Sequence, residues 1–129
     1  MTVTLAEANR MVQAAIVKAA QLNVKISVAV CDAGGRLLAF NRMDGATWAG
    51  AYACQGKAVS SATFGRTSGE VDASSPIVQS IKAAEGDHMI FSRGGVPIIR
   101  GGVVDGACGA GGSTGQQDEE CARSGVESL

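Results

Sequence analysis

The chain has 129 residues, 46% of them hydrophobic but only 4% aromatic, and a net charge of −1. That length bounds it to a single domain over residues 1–129, with one core built from Ala, Val, Ile and Leu. The charge gives no basic field for nucleic acid, no apolar run is long enough for a membrane span, and the opening MTVTLAEANR lacks the parts of a signal peptide.

Thr4-Leu5-Ala6-Glu7 reads as a capping box, and Leu5, Ala8, Val12, Ala15, Ile16, Ala19 and Leu22 fall on one helical face. A helix over 5–22 follows. Ile26, Val28 and Val30 alternate with Ser27, Ala29 and Cys31, which predicts a strand with one bulky and one small face. Asp32–Gly35 turns into a second strand over 36–42, so the two form a hairpin. Asp44 is the expected cap of a helix starting near Ala46, with Trp48, Ala51, Tyr52, Ala58, Val59 and Ala62 as a buried stripe. Ser75-Pro76 opens a short helix ending at 83–86. Strands are expected at 88–92, 96–100 and 103–110, joined by the turns of a repeated RGGV. A last helix runs from Thr114 to about Val126. The order is α-β-β-α-α-β-β-β-α, an α+β domain with five strands.

The segment Val30–Ala46, VCDAGGRLLAFNRMDGA, resembles the signature of the GlcG/HbpS-like proteins, the haem-degrading family that includes the C-terminal domain of PduO-type corrinoid adenosyltransferases. Lys57-Ala58, Gly94–Ile98 (GGVPI) and Gly111–Glu119 (GGSTGQQDE) are similar to further segments of that family, in the same order. The resemblance implies a five-stranded antiparallel sheet packed by helices, profilin-like or PAS-like in outline. It also implies a homo-oligomer, a dimer or an octamer-like assembly, with haem or corrinoid binding or accessory roles in catabolism. Two departures stand out. Gly106–Gly112 carries Ala and Cys where the family has larger residues. The single histidine, His88, lies outside the first helix, where imidazole-ligating members place theirs; that helix offers Lys18 and Gln21 instead. Haem is therefore the cofactor suggested by resemblance, with no clear axial ligand.

The stretch Val103–Asp118 passes from strand through glycines into a helix start. Such a turn aims free N–H groups at its front, so Gly111, Gly112, Ser113 and Thr114 are candidate binders of a carboxylate. The same glycines also serve a plain strand-to-helix turn, whose dipole Asp118, Glu119 and Glu120 already complement. Arg42 is the candidate bidentate grip on a carboxylate and Lys57 a second charge or a base. Asp44 caps a helix or moves a proton; His88 is an exposed strand-start residue, a proton carrier or a haem ligand. Cys108 is the one thiol positioned near the glycines, although buried cysteines are ordinarily inert. The four cysteines show no CxxC spacing, so reduced thiols in a cytoplasm are expected. No zinc spacing, P-loop or Ser-His-Asp set is present.

These residues point to a small anionic organic ligand. The expected function is a ligand-binding accessory protein of catabolism, for haem or another tetrapyrrole. The alternative is a small cofactor-independent isomerase, lyase or hydratase acting on a carboxylate-bearing intermediate, with Lys57, Asp44 or His88 moving the proton.

Overall fold

The computed structural model describes residues 2–129. The first helix, α1 (Leu5–Gln21), starts at the predicted capping box: Thr4 Oγ1 accepts from the Glu7 amide and the Glu7 carboxylate accepts from the Thr4 amide. Strands β1 (Ser27–Asp32) and β2 (Leu37–Arg42) form the hairpin, with a register shift that leaves Leu38 unpaired. Helix α2 (Trp48–Phe64) and the short α3 (Pro76–Ala84) follow. Strands β3 (Gly95–Arg100) and β4 (Val103–Gly111) turn at Gly101-Gly102, both at positive φ, and α4 (Gly115–Glu127) closes the chain.

The sheet is antiparallel with order β2-β1-β4-β3. Among the described residues it has four strands, which corrects the expected five. The segment 88–92 pairs with no strand among them. Its polar groups are met by a helix: the Ile90 amide donates to the Gly56 carbonyl at 3.1 Å, and Ser60 Oγ donates to the Ile90 carbonyl at 2.9 Å. Ser68 Oγ likewise donates to the Ser92 carbonyl. With those groups satisfied, nothing drives the segment onto a sheet edge. The observed order is α-β-β-α-α-β-β-α.

Side-chain alternation puts one face of the sheet to each helical layer. Val28, Val30, Val96, Ile98, Cys108 and Ala110 form the main core with Ala8, Met11, Val12 and Ala15 of α1 and Cys121 and Ala122 of α4. The opposite face belongs to α2 and is built from small residues. Cys31 and Ala107 meet Ala58 and Ala62. A Cβ at Gly111 would stand 2.7 Å from the Gly50 carbonyl oxygen, and one at Gly109 would overlap the Cys54 carbonyl. Main chain thus packs directly on main chain, which only glycine permits.

Two expectations about α2 need correction. Its cap is Thr47, without a side-chain bond, and Asp44 lies exposed in the preceding turn. Trp48 and Tyr52, expected in a buried stripe, are both 70% exposed and meet edge to face, with ring centroids 6.1 Å apart. Ala58, Val59 and Ala62 of the expected stripe are buried, joined by Gly50, Cys54, Lys57 and Ser61.

Candidate functional site

Lys57 lies on the buried side of α2, 5% exposed. Its ammonium donates to the Ala110 carbonyl at 3.1 Å and to Asp118 Oδ2 at 3.2 Å. The other oxygen, Asp118 Oδ1, accepts from the Ser113 amide at 3.0 Å. Asp118 is 2% exposed; burial pushes its carboxyl up, while Lys57 and the Ser113 amide pull it back. The glycine turn therefore already holds an anion, and that anion is the protein's own carboxylate. Thr114 and Gln117 form a second capping box, in which Thr114 Oγ1 accepts from the Gln117 amide.

The structure brings Lys57 together with Gly112 and Ser113, in the lining of a hollow of about 360 Å³ that also takes in Ala49, Ala53, Arg93 and Asp118. Arg93 reaches Glu119 at 3.1 Å across its edge. Gly111 packs on Gly50 and Thr114 is exposed. Arg42 and Asp44 are elsewhere, in a shallow hollow with Lys25 and Met43 near the end of β2. His88 is elsewhere again. The proposed proton carriers Lys57, Asp44 and His88 thus occupy three separate hollows and do not form one set.

The largest of the three, about 550 Å³, runs beside α2 above the β1–β2 hairpin. Its walls are mostly apolar: Ala29, Cys31, Leu37, Tyr52, Val59 and Ile90. Exposed Arg36, Asp87 and His88 supply its polar lining together with Gln55. Arg36 pairs with Glu85 at 3.0 Å. Gly56 makes room for the segment that carries His88, since a Cβ there would stand 2.6 Å from Ile90 Cγ1. The Cys31 thiol on the floor is pushed up to about 12 by burial, so it stays protonated and unreactive at neutral pH. Cys108 is fully buried in the main core, facing away from this hollow, with its thiol raised by burial as well.

Sequence reasoning missed this larger hollow because its walls come from distant segments. Asp118 was readable in part. It stands five residues after Ser113, so the first turn of α4 carries its carboxylate back to that amide. No group of three or more His, Cys, Asp or Glu able to hold a metal occurs among the described residues, and no helix among them is long and apolar enough to cross a membrane.

Comparison with known proteins gives a consistent outcome. The family described as haem degrading protein HbpS-like matches residues 3–127. A Citrobacter freundii protein, described as an uncharacterized 15.0 kDa protein in the dhaT-dhaS intergenic region, is 32% identical and covers 98% of this chain and 91% of its own. Among solved structures, Klebsiella pneumoniae ORFY is 29% identical with a TM-score of 0.89, covering 99% of this chain and 90% of its own. A double mutant of Streptomyces reticuli HbpS is 27% identical with a TM-score of 0.87, covering 100% and 88%. A structure described as a PduOC:heme complex shares the fold at 21% identity, with a TM-score of 0.87 and coverage of 100% and 96%.

Proposed function

This chain belongs to the haem degrading HbpS-like family, and from that premise we propose that it is an accessory protein of catabolism that binds haem or a related tetrapyrrole in the hollow beside α2, in the cytoplasm and as a homo-oligomer. The single observation that carries the reading is the composition of that hollow. An apolar cleft of about 550 Å³ has the chain's one histidine in its lining. Clefts of this size and mostly apolar lining are the usual sites of small organic ligands and cofactors.

The residues present fit such a group. Leu37, Tyr52, Val59 and Ile90 would exclude water from its faces, and the exposed edge-to-face pair Trp48–Tyr52 offers aromatic surface beside the cleft. His88 would hold the iron through a ring nitrogen, and Arg36 would meet a carboxylate side arm in place of Glu85. When bound, haem supplies an iron centre with an open position for an imidazole. The imidazole of this chain lines the hollow on the α2 side of the sheet, so its ligand set would differ from that implied by a first-helix histidine.

Hemin titration tests the reading. Trp48 is the only tryptophan, so its fluorescence reports on this side of α2 alone. The expected result is a saturable Soret shift at one hemin per subunit, with quenching of Trp48. His88→Ala should change the Soret position and weaken binding by about tenfold or more. A titration without saturation, or a His88→Ala protein with the same spectrum and affinity, overturns it.

A further inference from the structure

Two of the motifs singled out above, the Lys-Ala pair through Lys57 and the GGST segment through Gly112 and Ser113, meet at the smaller hollow, which the tetrapyrrole reading does not use. We propose that this hollow is a second site, for a small carboxylate-bearing molecule held by Lys57 and the first turn of α4.

The argument is a count of donors and acceptors. A lysine ammonium has three N–H donors. Lys57, buried to about nineteen parts in twenty on the hollow's wall, finds two acceptors among the described residues, Ala110 O and Asp118 Oδ2. One N–H is left over. The Gly115 amide, in the same lining, also has no acceptor among the described residues. Both oxygens of Asp118 are already engaged, by Lys57 and by the Ser113 amide. The wall therefore has donors to spare, and a ligand has to bring the acceptors. Leaving the buried Lys57 donor unmet is costly, and the half-buried Gly115 amide adds a second donor beside it, so acceptor-rich occupants are favoured. Lys57 with Asp118, and Arg93 with Glu119, cancel as pairs. With those charges paired, what faces a ligand is the spare Lys57 N–H and the partial positive charge at the start of α4, which suits one carboxylate and not a polyphosphate. A volume of about 360 Å³ admits acids of a few carbons and excludes a porphyrin.

The test uses the full chain labelled with nitrogen-15 and sodium acetate as probe, with sodium chloride at equal ionic strength as control. Acetate should move the Gly115 amide and Lys57 ammonium signals saturably, and chloride should not. Two variants leave the buried pair intact. Ala53→Leu fills the hollow, and Ala49→Glu places a negative charge in its lining. Each should weaken acetate by about tenfold. Ala49 is exposed in the first turn of α2, where a glutamate suits the helix dipole, so that variant tests the site even if Ala53→Leu does not fold. Shifts that grow linearly, that chloride reproduces, or that survive Ala49→Glu overturn the proposal. Hemin binding is read at the Soret band and Trp48, so either proposal can fail without the other.

Discussion

At the scale of single residues, the Lys57–Asp118 pair is where substitution should tell most. Removing one partner of a buried ion pair strands the other charge out of water. Asp118→Ala should therefore cost about 3–5 kcal/mol, read as a lowered urea midpoint. Asp118→Asn keeps an acceptor for the Ser113 amide and should lose less of it. Lys57 was readable as notable from its neighbours in sequence. Its partner was not, because 61 residues separate the two and only the crossing of α2 over β4 joins them. Glu7 gives a pH-dependent prediction. Its hydrogen bond from Arg100 and then that from the Thr4 amide hold its carboxyl down at about 2, against an ordinary 4.5. A lowered carboxyl stabilises the folded state above its unfolded value, and that contribution fades as pH falls from about 4.5 towards 2. Over that window the melting temperature of the native chain should drop more steeply than that of Glu7→Gln, which keeps the capping geometry.

At the scale of elements, local chemistry was legible and long-range pairing was not. Both capping boxes stand where the sequence puts them, because a cap is settled within four residues. Thr114→Ala should cost about 1 kcal/mol in chemical denaturation, as lost N-caps do. The Gly101-Gly102 turn was equally local. The segment 88–92 was misread as a strand because Met89-Ile90-Phe91 is a short apolar run between turns, yet its partners are a helix carbonyl and two serine hydroxyls. An apolar run reports burial and says nothing about who supplies the hydrogen bonds. The α2 stripe held at Ala58, Val59 and Ala62 and failed at Trp48 and Tyr52, for a related reason. Against a face of Gly95, Ala107, Gly109 and Gly111, the closest fit comes from small residues, so the aromatics turn outward. Gly109→Ala should accordingly cost about 1–3 kcal/mol or more, since the obstacle is backbone and cannot step aside.

At the scale of the whole molecule, the fold class was legible, the strand count was overestimated by one, and the larger hollow was invisible because no contiguous stretch encodes it. Trp48, Tyr52, Leu37 and Ile77 are large, apolar and mostly exposed. Apolar surface of that kind favours association, and light scattering at micromolar concentration should find a species heavier than the 13.0 kDa chain. A monomer at that concentration would contradict the homo-oligomer proposed above. Ile90 carries a wider consequence, for it belongs to the lining of both the 550 Å³ and the 360 Å³ hollows. An occupant of one chamber that displaces the Ile90 side chain would take room from the other. Hemin saturation should then raise the acetate concentration needed to shift the Gly115 signal, acetate should hinder hemin equally, and Ile90→Ala should make the two indifferent to each other.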